Sequence, residues 1–293
     1  MASSKALKGR IRSVTNTRKI TRTMELVATS KLKRAQDRVV AARPYAEALR
    51  QVIADLVTPE LAEQFPLLRR PLPPSKGGPT RAVLILITSN RGLAGGFNAN
   101  LIKEARRRID ALEADGYTVD LIGVGKKGVG FFKYIGRTFS SERPDIGDKP
   151  TAEHASSLVE QLIADYADGT VGVVELVQSR FVSVMDSPPT AVRILPVETP
   201  PKAKGMRPDY ILSPDPATLL EQVLPLYVRN MVYRGLVETV AAEQAARRTA
   251  MKNATDNAGD IIEVLKRTYN RQRQAQITQE IAELVGGAAA LQG

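Results

Sequence analysis

The stretch that decides the fold is residues 28–56, ATSKLKRAQDRVVAARPYAEALRQVIADL. Its apolar side chains recur at alternating steps of four and three residues over four heptads. Such a seam is typical of a helix that packs along another helix. The nine seam positions are Ala28, Leu32, Ala35, Val39, Ala42, Ala46, Leu49, Ile53 and Leu56.

The helical pattern extends upstream of the seam to the N-terminus and ends at Thr58-Pro59, so residues 1–56 are predicted to form one basic helix. Two further apolar patches lie on it, slightly out of phase with each other. They are Leu7, Ile11 and Val14, and Ile20, Met24 and Val27.

Residues 217–291 form the second long predicted helix. Pro225 predicts a kink or a delayed start in its first turns. One apolar series comprises Met251, Thr255, Ala258, Ile262, Leu265 and Tyr269, and a second comprises Ile277, Ile281, Leu284, Ala288 and Leu291. A long helix in water is held mainly by packing of its apolar face. We therefore expect the N-terminal seam to pair with the Met251–Tyr269 series in an antiparallel coiled coil, and the tail, 277–291, to need apolar surface on another protein.

Residues 81–200 have a different periodicity. Predicted strands at 82–87, 117–124, 171–177 and 191–197 alternate with predicted helices at 98–114, 129–135 and 151–167. Residues 82–87, AVLILI, are apolar on both faces, as in a parallel sheet covered by helices. The pattern indicates a small α/β domain.

The predicted fold class is therefore α/β plus a long antiparallel coiled coil, with the terminal helices paired and the α/β domain docked on the side. The predicted segments are an N-terminal helix (1–57), a Pro-rich linker (58–80), the α/β domain (81–200), a loop (201–216) and a C-terminal helix (217–293).

Composition excludes several kinds of site. The chain has 293 residues, no cysteine and a single histidine, His154, so thiol chemistry and multi-histidine metal sites are excluded. The first 50 residues carry 13 Lys/Arg against 3 Asp/Glu, which is nearly all of the net charge of +11. This basic arm has four alternative interpretations. It is a scaffold that binds nucleic acid through its phosphates, a solvated face of the coiled coil, or a surface that faces an acidic protein. The fourth is a mitochondrial targeting segment, although the helical pattern continues past Glu25.

Two glycine-rich stretches are candidate nucleotide sites. Residues 123–128, GVGKKG, fit the G-x-G-x-x-G pattern, and Glu142 lies near the position of an acidic ribose ligand. The pattern follows the second strand rather than the first, which favours a glycine-eased turn. Residues 88–98, TSNRGLAGGFN, lack the Gly-Lys-Ser/Thr ending of a phosphate loop and favour a tight turn with Asn98 as the helix N-cap. His154 is interpreted as a solvated residue in the first turn of the helix predicted at 151–167.

Three stretches together resemble the gamma subunits of rotary F-type ATP synthases. The first is LKGRIRSV (7–14) running into TRKITRTMELVA (17–28), the second is SNRGLAGGFN (89–98), and the third is QAAR (244–247) with MKNATDNA (251–258) and RQAQITQEI (273–281). The glycine-rich stretch 89–98 departs mildly from the family pattern. It has Ala94 where Cys is common and Asn90 where Asp is common.

The resemblance implies paired terminal helices and a Rossmann-like domain that binds no nucleotide, with no catalytic residue, cofactor or metal. It implies a central rotor shaft, one copy per complex, inside a hexamer of alpha and beta subunits. There it couples proton translocation through the membrane c-ring to ATP synthesis or hydrolysis at the beta-subunit sites. The epsilon subunit is a further implied partner. The implied location is peripheral, on the cytoplasmic face of the bacterial inner membrane.

The resemblance also implies contact residues. Arg273 and Gln274 match positions that bind a beta subunit at one rotary angle. Thr278 and Glu283 match further residues of the same contact. Met24 matches a position facing the beta subunits. Together with the apolar tail positions, the residues expected to contact the alpha/beta hexamer are Met24, Arg273, Gln274, Thr278, Ile281, Glu283 and Leu284. Asp209 and Tyr210 are expected near the c-ring and the epsilon subunit.

Overall fold

The computed structural model describes residues 4–198 and 215–292, with side chains described for 5–198 and 215–286. In chain order the elements are α1 (Ser4–Leu56), α2 (Pro59–Gln64), β1 (Arg81–Ile87), α3 (Phe97–Ala114), β2 (Thr118–Val124), α4 (Lys126–Tyr134), β3 (Ser141–Arg143), α5 (Ala152–Ala167), β4 (Val173–Ser179), β5 (Pro189–Leu195) and α6 (Pro216–Gln292). The chain forms two compact units. Residues 1–29 and 247–293 form the two-helix unit, and residues 30–246 form the α/β unit.

In the two-helix unit, α1 and α6 run antiparallel. The hydroxyl of Thr255 lies 2.8 Å from that of Thr21. A Cβ added to Gly259 would lie 3.6 Å from the guanidinium carbon of Arg18. Because the earlier residue of α1 meets the later residue of α6, the two helices point in opposite directions.

The interface of this unit mixes apolar and polar side chains. Its buried apolar members are Leu7 and Ala28 of α1, and Met251, Ala258 and Ile262 of α6. Burying each of the larger ones stabilises the pair by about 2 kcal/mol. Three polar side chains are also buried there, namely Thr21, Glu25 and Thr255. The Glu25 carboxylate accepts a hydrogen bond from Arg22 at 2.9 Å, so its charge is compensated.

The predicted seam is confirmed as a buried stripe, but its predicted partner is wrong. Eight of the nine seam positions are buried, and Ala42 is half-buried. Within the α/β unit, the seam shares its core clusters with the first half of α6, not with Met251–Tyr269. In an antiparallel pair, each step forward along α1 is a step back along α6. The seam residues from Leu32 onward therefore pack with residues of α6 that precede 247.

The α/β unit is built on a five-stranded sheet in the order β3-β2-β1-β4-β5. The first four strands are parallel and β5 is antiparallel to β4. All of β1 except Arg81 is buried, because helices cover both faces of its apolar sequence. Val83, Ile85 and Ile87 face one core cluster with α5, and Ala82, Leu84 and Leu86 face another with α3.

Helix α6 contributes to both of these clusters. Its residues from Leu220 to Leu236 belong to the first cluster, and those from Val237 to Ala245 belong to the second. The helix therefore passes from one face of the sheet to the other. Pro225 lies inside the helix, which begins at Pro216, so the alternative of a delayed start is wrong.

The structure adds features that the sequence pattern did not predict. The predicted linker contains α2 and a 3-10 helix at Pro74–Lys76. Strand β3 was missed because its three residues, Ser-Glu-Arg, have no apolar signal. The antiparallel direction of β5 was not predicted either.

Candidate functional site

Helix α4 begins within the G-x-G-x-x-G stretch, and its first amide groups donate hydrogen bonds to other residues of the chain. The bonds run from Lys126 N–H to Asn90 Oδ1 (3.0 Å), from Lys127 N–H to the Ser89 carbonyl (3.1 Å), and from Gly128 N–H to Thr88 Oγ1 (2.9 Å). A dinucleotide phosphate would need these same donors. The three acceptors all belong to the segment that leaves β1.

The glycines of this stretch serve close packing. Gly125 has φ +86°, and a Cβ there would lie 2.1 Å from the Thr88 carbonyl oxygen. A Cβ at Gly128 would lie 2.8 Å from the Thr88 methyl group. Only glycine allows the end of β1 to approach α4 this closely, which agrees with the interpretation as a glycine-eased turn.

The loop at 88–98 is a tight turn, as predicted, but Asn98 is not the N-cap of α3. The N-cap is Gly96. The Asn98 side chain instead accepts the Ser89 N–H at 3.0 Å and so ties the first turn of α3 to the end of β1. Leu93 adopts φ +62° in the same loop.

The crevice at the carboxyl ends of the strands, where ligands bind in many doubly wound folds, is occupied by α6. The Ser179 N–H at the end of β4 donates to Thr239 Oγ1 at 3.2 Å. The Phe181 N–H donates to the Glu238 carboxylate at 3.4 Å. The element that would have to leave to admit a nucleotide is therefore part of the core.

A cavity of about 680 Å³ remains beside α6, between the ends of β1 and β2 and residues 144–150. Two of the carboxylates that line it, Asp145 and Asp148, are paired within the chain. The Arg143 guanidinium donates hydrogen bonds to Asp145 Oδ1 at 2.9 Å and to Asp145 Oδ2 at 2.8 Å. These bonds lower the pKa of the Asp145 carboxyl. Lys31 forms an ion pair with Asp148.

The two remaining chemical candidates have structural roles. His154 is half-buried and caps α5, where its Nδ1 accepts the Thr151 N–H at 3.2 Å while Thr151 Oγ1 accepts the His154 N–H. This cap corrects the interpretation of His154 as merely solvated. Glu142 pairs with Lys133 at 2.7 Å.

The tail of α6 exposes apolar side chains. Ile281 is 55% exposed and Leu284 is 74% exposed, and Ile277 and Val285 are also exposed. Ala288 and Leu291 of the same predicted series lie outside the described side chains. An exposed apolar stripe on a long helix indicates a partner.

The predicted polar contact residues lie on the same exposed tail. Arg273, Gln274, Thr278 and Glu283 are all exposed. The Thr278 hydroxyl donates to the Gln274 carbonyl at 2.9 Å. The Glu283 carboxylate accepts from Gln279 at 2.9 Å.

Helix α1 exposes a second apolar patch. Ile20 is 60% exposed, Val27 is also exposed, and Met24 between them is half-buried. Leu26 of α1 and Ile261 and Val264 of α6 are exposed as well. These last three residues are outside the apolar series predicted from the sequence, although each is an apolar residue beside the buried positions. Asp209 and Tyr210 lie outside the described residues.

Comparison with known proteins identifies the family of the chain. The ATP synthase family model matches residues 3–291. The ATP synthase gamma chain of Gemmatimonas aurantiaca is 59% identical over 296 residues, covering 100% of both chains. The chain belongs to the ATP synthase gamma chain family. Gamma chains from Psychrobacter arcticus and Leptospira biflexa are each 40% identical, covering 99% of this chain and 100% of theirs.

Solved structures of ATP synthases share the fold. A chain of the Euglena gracilis mitochondrial ATP synthase (OSCP/F1/c-ring, rotational state 3) has a TM-score of 0.67 at 18% identity, covering 98% of this chain and 94% of that one. A chain of the Tetrahymena thermophila mitochondrial ATP synthase (central stalk/c-ring) has a TM-score of 0.58 at 22% identity, covering 80% and 99%.

Membership of the gamma chain family confirms the predicted family, the predicted fold class and the predicted role as an ATP synthase subunit. The nucleic-acid alternative for the basic arm finds no support among these relatives. Among residues 4–198 and 215–292, no helix is both long and apolar enough to span a membrane.

Proposed function

We propose that this chain is the rotating central shaft of an ATP synthase, and that its two-helix unit turns inside the hexamer of alpha and beta subunits. The observation that carries this proposal is the exposed apolar tail of α6. Ile281 and Leu284 have no cover within the described part of the chain, yet they continue the spacing of a packed helix. An apolar sleeve formed by other subunits would cover them in the assembly.

The proposed contact with the beta subunits combines this stripe with polar side chains that bind a beta subunit at one rotary angle. Arg273 and Gln274 are exposed just before the stripe, and Thr278 and Glu283 lie within it. Charge-assisted hydrogen bonds are strong and directional, so a guanidinium at this place favours one rotary angle over others. The apolar stripe can slide between angles because no hydrogen bond has to break.

We further propose that the chain contributes no catalytic residue, and that ATP is made or hydrolysed at sites of the beta subunits. Two features of the α/β unit support this. The amide donors of α4 are bonded to the end of β1, and α6 fills the crevice at the carboxyl ends of β1 and β4. The α/β unit is then a mechanical part, built on a nucleotide-binding topology.

The proposed partners at the other end of the shaft are the epsilon subunit and the c-ring, with Asp209 and Tyr210 near the contact. The solved structure from Tetrahymena thermophila is described as a central stalk with its c-ring, which supports the assignment by similarity of fold. The proposed location is peripheral, on the cytoplasmic face of a bacterial inner membrane, where proton flow through the ring drives rotation.

Reconstitution tests the proposal directly. The chain is assembled with alpha, beta and epsilon subunits of its Gemmatimonas aurantiaca relative, and rotation of a probe attached to the α/β unit is followed during ATP hydrolysis. We expect stepwise rotation with the wild-type chain. The double variant Ile281→Asp/Leu284→Asp should reduce rotation at least tenfold.

The matched control is Lys266→Gln/Asn270→Asp, which changes the net charge by the same amount at exposed positions of α6. Both double variants should change the free energy of unfolding of the isolated chain by no more than about 0.5 kcal/mol, as is usual for surface positions. Full rotation with the tail variant, or failure of the chain to assemble with alpha and beta subunits, would overturn the proposal.

A further inference from the structure

Strand β5 lies at one edge of the sheet. It pairs with β4 on one side, and no strand among the described residues pairs with its other side. The strand has seven residues, whereas β3 at the opposite edge has three. An edge strand exposes a row of backbone donors and acceptors, and an extended peptide can add to them as a further strand.

The register of β5 shows which of its backbone groups point outward. The Arg180 N–H donates to the Pro188 carbonyl at 3.0 Å, in the register that β4 and β5 share. Bonded pairs alternate along an antiparallel ladder, so the even-numbered residues of β5 as far as Val192 bond to β4. Ala191 and Arg193 therefore direct their N–H and C=O groups away from β4. These backbone groups make no hydrogen bond to any residue that the structure describes.

A groove of about 850 Å³ follows this outer edge. Its lining includes the five consecutive β5 residues 190–194. Because successive side chains of a strand point to opposite faces, the groove extends over both faces of β5. Helix α3 borders it on one face, and the part of α6 that contains Tyr227 and Met231 borders it on the other. A groove of this form has room for an added strand and for its side chains on both faces.

The groove carries an excess of positive charge. Six arginines and three glutamates line it. On the α3 side, Glu175 is 2% exposed and accepts from Arg108 at 2.8 Å and from Arg193 at 3.4 Å, so two guanidinium groups share one carboxylate. The exposed side chains of Arg50 and Arg180 form no hydrogen bond or ion pair with the described side chains. The lining therefore favours an acidic ligand.

The face of the groove along α6 is partly apolar. Tyr227 and Met231 are half-buried and line it together with Val192 of β5. The two faces of the groove thus differ in polarity. A strand that carries acidic side chains on one face and apolar side chains on the other would match both of them.

We propose that the β5 edge binds an extended acidic segment of a partner protein, which adds to the sheet as a sixth strand. Acidic and apolar residues alternate in this segment. Its carboxylates face Arg108 and Arg193, and its apolar side chains face Tyr227 and Met231. Backbone hydrogen bonds to Ala191 and Arg193 supply affinity, and the alternating side chains supply specificity.

The occupant is not a second copy of this chain. Strand β5 contains Arg193 and no acidic residue, so two β5 edges would oppose like charges. The surface belongs to the α/β unit and not to the tail of α6, so the inference goes beyond the proposed shaft contacts. Its test requires only the full-length chain and a peptide.

Fluorescence anisotropy tests this surface with a labelled octapeptide of alternating glutamate and valine, titrated with the purified full-length chain. We expect saturable one-to-one binding, and binding at least tenfold weaker when lysine replaces glutamate in the peptide. Arg50→Gln/Arg180→Gln should raise the Kd at least fivefold. The control Arg70→Gln/Arg106→Gln, which removes the same charge from exposed positions that do not line the groove, should leave the Kd unchanged.

Two N-methylated isomers of the peptide test the backbone ladder. One carries methyl groups on two glutamate amides and the other on two valine amides. In an extended strand these amides point to opposite edges, so the isomers have the same charge and composition but block different edges. We expect one isomer to bind at least tenfold more weakly than the parent peptide, and the other to bind within threefold of it.

The proposal would be overturned by equal losses in the two isomers or by no loss in either. No saturation below about 1 mM chain, an unchanged Kd in the Arg50/Arg180 variant, or equally tight binding of the lysine peptide would also overturn it. Sedimentation of the chain alone should show a monomer. A dimer that the acidic peptide dissociates would contradict the proposal, because the β5 edge would then bind a second copy.

Discussion

The hydroxyls of Thr21 and Thr255, 234 positions apart in the chain, lie 2.8 Å from each other inside the two-helix unit. Each hydroxyl also lies within hydrogen-bond distance of a carbonyl of its own helix, Thr21 at 3.1 Å from that of Arg18 and Thr255 at 2.8 Å from that of Met251. A hydrogen bond between two buried side chains can be made in only one register. This pair therefore specifies how α1 and α6 align, where small apolar neighbours alone would permit a slip.

Replacement of Thr255 by valine should destabilise the chain by about 1 kcal/mol, because the hydrogen bond between the two buried hydroxyls is lost. The double variant Thr21→Val/Thr255→Val should cost less than the sum of the single variants by about 0.5 kcal/mol or more. Urea unfolding of the four proteins measures this coupling. Thr268→Val is the control, because its hydroxyl bonds only to its own helix, at the Val264 carbonyl. Strict additivity would show that the pair does not set the register.

This pair also shows what the sequence could and could not predict about the shaft. The apolar spacing of residues 28–56 predicted which positions are buried, because burial follows directly from the period of a packed helix. The partner of that seam was not predictable from spacing. The register depends on Thr21 and Thr255, and polar residues interrupt an apolar pattern. The first half of α6 also packs on the sheet, so its apolar residues do not form one simple stripe.

The same contrast holds in the α/β unit and at the candidate site. The apolar run at 82–87 predicted a buried strand, and the glycines at 123–128 predicted a close turn. The role of Asn98 was mispredicted, because its side chain reaches back to Ser89 across a loop whose path the sequence does not reveal. The exposed tail of α6 was predictable because its spacing continues after its partner helix has ended.

Gly125→Ala should be far more destabilising than Gly136→Ala. Both glycines have positive φ, +86° and +82°, so alanine is strained at either position. Only at Gly125 does the added Cβ also meet backbone, at 2.1 Å from the Thr88 carbonyl oxygen, whereas no atom lies within 4 Å at Gly136. We expect a loss of about 1 kcal/mol at Gly136 and about 3 kcal/mol or more at Gly125. Thermal unfolding followed by circular dichroism measures both. Equal losses would mean that β1 and α4 can separate without cost.

The stability of the start of α6 should depend on pH through Asp215. Its carboxylate accepts the N–H groups of Thr218 and Ala217 at 3.0 Å and the Thr218 hydroxyl at 2.7 Å. Chiefly through the Thr218 N–H, these bonds lower the pKa of Asp215 from its ordinary value of 3.8. A depressed pKa in the folded state means that the ionised cap stabilises the fold above pH 3.8, and that this stabilisation is lost as the pH falls through the folded-state pKa.

Asp215→Asn isolates that contribution, because asparagine can still accept the N–H groups but does not titrate in this range. The wild type should be more stable than the variant at pH 6, and the difference should shrink as the pH falls below 3.8. Carbon-detected NMR titration of the Asp215 carboxyl measures its pKa directly. A value at or above 3.8 would contradict the assignment of the cap.

Met24→Lys should impair the coupling of ATP hydrolysis to proton pumping while leaving the chain folded. Met24 is half-buried on α1 between the exposed residues Ile20 and Val27, so a lysine can extend its charged end into solvent. We expect the free energy of unfolding of the isolated chain to fall by no more than about 1 kcal/mol. In the assembled synthase, the same charge would face the apolar surface proposed for the beta subunits, and ATP-driven proton pumping should fall several-fold. Quenching of a pH-sensitive dye in membrane vesicles measures pumping, with Met24→Leu as the control that keeps the volume apolar. Normal pumping by the lysine variant would exclude this patch from the contact and leave the tail of α6 as its main part.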